Sequence, residues 1–238
     1  MKIYTLFTDL GLVPYQKALD YQKKLFEEIV FIKKCNDDLP QCEKQVLYNH
    51  LIFCEHPHVY TLGKSGNETN LLINTLQLQE KRAEFVKTNR GGDITYHGPG
   101  QLVGYPILDL ESLHLGTRQY IEKMEEAIIL TLKEYGIESY KNPDAIGVWI
   151  AADKKRGERK IAAIGVKVSR QVSMHGFALN VCPDMDYFNH INPCGFIDKG
   201  VTSMDVELGY APDFELLKVK LKKHLVEQLS IQLYDVEK

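Results

Sequence analysis

The chain has 238 residues, 44% of them hydrophobic and 26% charged, which suits one large α/β domain or two small ones around a real core. A net charge of −3 excludes bulk nucleic-acid binding, which needs a basic excess, and no uncharged apolar run is long enough to span a bilayer. The start, Met1-Lys2-Ile3-Tyr4-Thr5, leads into a polar, helix-patterned stretch and not a signal peptide's apolar segment, and five scattered cysteines point to reduced cytoplasmic thiols, not a disulfide framework.

Taken in chain order, the first clear element is amphipathic. Behind Pro14, a good first-turn residue, Tyr15, Ala18, Leu19, Gln22, Leu25, Phe26 and Ile29 share one helical face and charged residues cover the other. Asn36 to Glu43 reads as a loop, and Val46 to Cys54 as a β-type run interrupted by Glu55-His56-Pro57. A second helix fits Thr117 to Tyr135, with Ile121, Met124, Ile128 and Leu132 as its buried stripe. Strands are expected at Glu84–Thr88, Leu102–Leu108, Ala145–Ile150, Ile161–Val168 and Val172–Leu179. A last helix covers about Phe214 to Leu229. Strands gathered in the middle, with helices at several points, predict an α/β (α+β) fold built on one main sheet. No repeat or low-complexity linker divides the chain, so residues 1–238 read as one domain.

Two segments carry more chemistry than structure requires. Arg90-Gly91-Gly92-Asp93-Ile94-Thr95-Tyr96-His97-Gly98-Pro99-Gly100-Gln101 holds four glycines among polar groups. Glycines let a backbone approach a ligand closely. A tight turn is the plain alternative, but Arg90, Thr95, Tyr96 and His97 favour a substrate-lining loop. No Gly-Lys-Ser/Thr follows and the Gly-x-Gly-x-x-Gly spacing is absent, so neither nucleotide fingerprint is present.

The second segment is Asn192-Pro193-Cys194-Gly195, turn chemistry that exposes a sulfur. A catalytic cysteine needs thiolate character and access. Cys35 and Cys42 flank an acidic loop, Cys182 ends a strand as a small hydrophobe, and Cys54 lies in Cys54-Glu55-His56-Pro57-His58, too closely spaced for good zinc geometry. Cys194 is therefore the candidate nucleophile, and no metal or cofactor is expected. An ordinary thiol is mostly protonated at neutral pH and needs a partner. His175, His190 and Lys160 are candidates, and spacing does not choose among them. Lys154, Lys155, Arg156 and Arg159 form the densest basic cluster, either a docking patch for an acidic protein or a solvated hairpin tip.

These residues resemble the lipoyl(octanoyl) transferases. The similarity begins at Glu55-His56-Pro57-His58-Val59-Tyr60-Thr61-Leu62-Gly63 and continues through Arg90-Gly91-Gly92 to Tyr105-Pro106. It is strongest over Lys160 to Val166, His175 to Asn180, Pro193-Cys194-Gly195 and Val201-Thr202-Ser203. The resemblance implies the fold of biotin and lipoate protein ligases, a mixed sheet flanked by helices. It implies octanoyl-acyl carrier protein as donor, with a lysine on lipoyl domains of 2-oxoacid dehydrogenases or on glycine cleavage H protein as acceptor. Cys194 is then the acyl-thioester nucleophile, and Lys160 the residue that lowers its pKa and handles protons. Arg90, Gly91, Gly92, Asp93, Ile94, Thr95, Tyr96 and His97 become walls of the acyl pocket, with Ala163, Ile164, Gly165, Gly176, Phe177 and Ala178. Asp93 stands where the family often has glutamine and Phe196 where it often has isoleucine, and Phe196 bears on chain length. The rivals are an ATP-dependent lipoate or biotin ligase, an amidotransferase between protein lysines, and a non-catalytic binding module. A soluble cytoplasmic monomer without nucleic-acid or membrane partners is expected.

Overall fold

The computed structural model describes residues 4–37, 39–40, 42–192 and 199–235. The main sheet runs in the order β12-β1-β2-β6-β10-β9-β8-β7, with β11 added against β9. Its strands are β1 (Tyr4–Leu12), β2 (Tyr48–Glu55), β6 (Gln101–Ile107), β7 (Tyr140–Lys141), β8 (Val148–Ile150), β9 (Arg159–Ser169), β10 (Val172–Asn180), β11 (Gly200–Val201) and β12 (Leu233–Asp235). Pairing is parallel at β12-β1, β1-β2 and β11-β9, and antiparallel elsewhere. A second sheet, in the order β4-β3-β5, joins β3 (Val59–Leu62), β4 (Glu84–Lys87) and β5 (Ile94–His97). The expected mixed sheet with flanking helices is what the chain forms.

Strand alternation decides which helices cover which face. On β2, Leu51 and Phe53 enter one core while Ile52 and Cys54 enter the other. The first core takes Met124, Ile128 and Leu132 of α3 (Thr117–Glu134) and Leu217, Leu221 and Leu225 of α5 (Phe214–Leu229). The second takes Ala18, Leu25 and Ile29 of α1 (Tyr15–Asp37). Short helices α2 (Thr75–Glu80) and α4 (Met204–Leu208) complete the set. Among the described residues no helix is long and apolar enough to cross a membrane.

Several boundaries differ from expectation. The polar stretch after Thr5 is a strand and not a helix, because it pairs in parallel with β2 from Tyr4 through Asp9. The loop expected from Asn36 begins later. Helix α1 continues to Asp37, where Asn36 holds the backbone of Gln45 through Nδ2–H to O at 2.9 Å and N–H to Oδ1 at 2.8 Å. The strand expected from Ala145 starts only at Val148, after Gly147 takes a φ of +125°. Ile121, expected in the buried stripe of α3, is half-buried and faces a cavity.

Candidate active site

A cavity of about 610 Å³ lies on the main sheet, within the usual size of a small-ligand site. Strands β9 and β10 supply Lys160, Ala163, Ile164, Gly165, Gly176, Phe177 and Ala178. The glycine-rich segment supplies Arg90, Gly91, Gly92, Asp93, Ile94, Thr95, Tyr96 and His97 from the other side. That segment is part turn and part strand, since residues 94–97 form β5.

Glycine is what allows the two sides to meet. Gly91 N–H donates to Val166 O at 2.9 Å, so the turn sits directly on β9. A Cβ on Gly165 would stand only 2.9 Å from Gly91 O, a distance real side chains do not tolerate. The turn is held from behind as well, by Lys64 N–H on Arg90 O at 2.9 Å and by the Arg90 guanidinium. Arg90 is buried and donates to Thr61 O at 2.6 Å, Thr61 Oγ1 at 2.9 Å and Gly91 O at 3.0 Å. Asp93 accepts from Asn70 Nδ2 at 2.7 Å and from Ile94 N–H at 2.7 Å, which orders the entry to β5.

The end of the cavity near Val166 is lined by buried histidines. His175, paired with Val166 across β10 and β9, has a φ of +63°. Its Nε2 bonds Asn89 Oδ1 at 2.8 Å, and burial, with Arg90 nearby, pushes its pKa down to about 3. His97 lies between Gln101 Oε1 at 3.2 Å and Thr61 Oγ1 at 3.4 Å, and burial likewise holds it far below the ordinary imidazole value. Tyr15 stacks on His97 with centroids 5.9 Å apart, and its own pKa is pushed up to about 12 by burial. Behind them His56, at about 4 through burial, donates from Nδ1 to Val13 O at 2.8 Å, so its Nε2 accepts from Tyr105 Oη at 2.7 Å. These imidazoles are neutral at pH 7.

The other end is charged. Lys160 Nζ lies 4.7 Å from the ring centroid of Trp149, and Lys199 Nζ lies 4.9 Å from the same ring. Trp149 is the chain's one tryptophan; it is buried, with its indole N–H on Ala145 O at 2.8 Å. Lys199 also pairs with Glu158 at 2.7 Å. Strand β11 then sets Val201 beside Lys160, and Thr202 N–H donates to Lys160 O at 2.9 Å.

Cys194, Phe196 and the rest of 193–198 lie outside the described residues. The chain on either side is described: Ile191 before them and Lys199, Gly200 and Val201 after them all line the cavity. Of the other cysteines, Cys54 is buried 3.6 Å from His56 Nε2, and burial pushes its thiol pKa up, as it does for Cys182. Among the candidate partners, Lys160 and His175 occupy opposite ends of the cavity, and His190 ends a 3-10 helix (Met185–His190) without lining it.

Sequence reasoning gave no site role to Tyr15, Tyr105, Trp149 and Lys199, whose side chains arrive from α1, β6, β8 and the residue just before β11. The basic cluster also reads differently in three dimensions. Arg159 is buried on Glu207 at 2.7 Å and Asp153 at 3.0 Å, and Arg156 pairs with Glu207 at 2.9 Å. Only Lys154 and Lys155 remain as exposed cations without an ion pair among the described residues.

Residues 14–226 match the family described as lipoyl protein ligase A/B catalytic domain. The octanoyltransferase of Cytophaga hutchinsonii is 51% identical over 228 residues, 96% of this chain and 93% of its own. That of Flavobacterium johnsoniae is 50% identical over 94% of this chain and 96% of its own. Among solved structures, a bipartite lipoate protein ligase from Thermoplasma acidophilum superposes with a TM-score of 0.68 at 15% identity, covering 100% of this chain and 89% of that one. The biotin protein ligase of Aquifex aeolicus in complex with biotin and ATP gives 0.52 at 15% identity, covering 95% and 70%. The structural likenesses establish the shared fold, while half-identity over nearly the whole length establishes descent: the chain belongs to the lipoyl protein ligase A/B catalytic domain family and, within it, is an acyltransferase of the octanoyltransferase group.

Proposed function

We propose that the chain moves an octanoyl group from octanoyl-acyl carrier protein to Cys194, and from there to the lysine of a lipoyl domain or of glycine cleavage H protein. The observation that carries this reading is the position of Lys160. Its ammonium lies in the wall of the cavity, above Trp149 and beside β11, where the chain returns from the Cys194 segment.

In the first half-reaction the Cys194 thiolate attacks the donor thioester carbonyl, and the tetrahedral intermediate expels the carrier thiolate, which takes the Lys160 proton and departs as the thiol, leaving Lys160 neutral. A protonated Lys160 favours the attacking thiolate electrostatically. In the second, the neutral acceptor amine attacks the Cys194 thioester, Lys160 takes its proton as general base, and the Cys194 thiolate leaves as the amide forms. Thioester exchange is nearly neutral in energy and amide formation runs downhill, so no nucleotide is required. Ala163, Ile164, Phe177 and Ala178 offer an apolar floor, worth about 0.8 kcal/mol for each methylene buried.

Incubation with octanoyl-acyl carrier protein alone tests the scheme. The expected product is one octanoyl adduct on Cys194 that hydroxylamine removes. Turnover without an adduct, or an adduct on Cys54 or Cys182, rules the covalent route out. Acceptance of octanoyl-H protein as donor in place of the carrier protein would favour the amidotransferase instead.

A further inference from the structure

Lys160 is shaped by groups that line no part of the cavity. Glu125 lies on α3 with 5% of its surface exposed, and its Oε1 accepts the Gly147 N–H at 2.9 Å. Gly147, at φ +125°, carries no side chain, and the Lys160 stem occupies the space this leaves. A Cβ there would stand 3.3 Å from both Cδ and Cε of Lys160 and 2.6 Å from Ala162 O. The register between β8 and β9 slips at this point, where Val148 pairs with Ala162 and Trp149 with Lys160. Such bulges re-aim side chains. The aim of Lys160 therefore depends on the Gly147 peptide, and that peptide is held by a buried carboxylate.

We propose that Glu125 is a positioning residue for Lys160: it pins Gly147, against which the lysine stem lies, and places a negative charge behind the ammonium. The proposal rests on the reading of Lys160 as the proton-handling group. The charged groups around the pair come from several elements. The charges that act on Glu125 are Lys160 of β9, Lys141 of β7 and Glu122 of its own helix, and Lys141 is already paired with Glu126 at 2.6 Å. Lys199 and Trp149 adjoin Lys160 on the cavity side. Burial raises the Glu125 pKa, while the Gly147 N–H, Lys141 and Lys160 oppose that rise. A carboxylate behind Lys160 favours its charged form, so removing the carboxylate lowers the pKa of the lysine.

Glu125→Gln separates the two roles, because an amide oxygen still accepts the Gly147 N–H while the charge is gone. The test is single-turnover transfer from pre-octanoylated enzyme to a lipoyl domain across pH, with thermal unfolding to show that each variant is folded. In the wild type the rising limb reports loss of the Lys160 proton. Glu125→Gln is expected to move that limb to lower pH by roughly half a unit or more and to keep most of the limiting rate. Glu125→Ala, which also releases Gly147, is expected to lower the limiting rate well below that of Glu125→Gln. A limb that stays in place in Glu125→Gln, or limiting rates equal in the two variants, overturns the proposal. Lys160→Met serves as the control for the parent reading. If the limb survives in Lys160→Met, Lys160 is not the base, and that failure is visible whatever Glu125 does.

Discussion

The two ends of the cavity differ in how their polar groups are held. From Lys160 to Val166 along β9 the distance is about 20 Å of strand. At the Val166 end, Arg90, His97 and His175 line the wall; Arg90 bonds to Thr61, His97 to Gln101 and His175 Nε2 to Asn89, while His175 Nδ1 is buried without a hydrogen-bond partner among the described residues. The imidazoles there are neutral. At the Lys160 end two ammonium groups share one indole face-on environment, and a carboxylate stands behind one of them. Polar residues in a pocket wall are thus not all reactive groups. The histidine end is a frame that shapes the cavity, and the lysine end holds charge that can act on a substrate.

Breaking the charged end is expected to have the largest effect. Lys160→Met keeps most of the side-chain volume but removes both the cation and the proposed base. Transfer to the acceptor should fall by about 10²-fold or more, and the pH dependence of Cys194 alkylation by iodoacetamide should shift upward. Lys160→Arg keeps a charge and should retain some acylation of Cys194 with poor transfer. Near-wild-type transfer by Lys160→Met would remove the distinction between the two ends.

The next residue along the strand tests the frame beneath the charged end. Arg159 and Glu207 are both nearly buried and paired at 2.7 Å, with further bonds from Arg159 to Ala151 O at 3.0 Å and from Thr202 Oγ1 to Glu207 at 2.5 Å. Arg159→Ala removes the more buried of the two arginines on Glu207 and leaves Arg156 and Thr202 Oγ1 to hold the carboxylate, a change that costs about 1.5–3 kcal/mol. Urea unfolding should show this as a lowered midpoint with an unchanged slope. A loss under 1 kcal/mol would mean that water replaces the arginine.

The histidine end is sharpened by acid. His56, His97 and His175 are held neutral in the fold, at about 4, well below 6.5, and about 3. In the unfolded chain they protonate near 6.5, so the unfolded state binds more protons below that pH and stability falls as pH drops. The stability these groups contribute is intact above about pH 6.5, and each takes away up to about 1.4 kcal/mol per pH unit below it. Urea midpoints measured between pH 7.5 and 4.5 should decline, and His175→Gln should decline less steeply. A flat profile between pH 7 and 5 would show that these imidazoles are wet and protonate freely in the fold.

How much of this could be read beforehand differs by element. Helices α1, α3 and α5 were legible because their apolar residues recur at helical spacing against one sheet face. Strand β1 was not, since among its nine residues only Thr5 is buried and no alternation appears. Strands β3 and β5 are four residues each and hide among histidines and glycines. In the site, the segments around Arg90, Ala163 and Gly176 were legible as motifs, and they do converge on one cavity. Trp149 and Glu125 carry no local signal, and Tyr105 stands out only as part of the Tyr105-Pro106 segment, with no role attached to it. Their importance comes from contacts with Lys160, His56 and Gly147, which only the fold creates. The same limit explains the basic cluster, where Glu207 neutralises Arg156 and Arg159 from 48 or more residues away.

That leaves Lys154 and Lys155 as the part of the cluster able to meet an acidic carrier domain. Both are exposed at the β8-β9 turn, on the strand connection that leads directly into Lys160. Exposed charges interact through solvent and are screened over about 10 Å at 0.1 M salt, so their contribution falls on encounter and not on chemistry. Reversing both to glutamate should raise KM for octanoyl-acyl carrier protein by about 3- to 10-fold at low salt, each tenfold being about 1.4 kcal/mol. The limiting rate should stay unchanged, and the salt dependence of KM should weaken. Stability should also hold, because neither lysine takes part in the Arg159–Glu207 network. If KM and its salt dependence match the wild type, these two lysines are solvated surface, and carrier recognition must come from another face of the molecule.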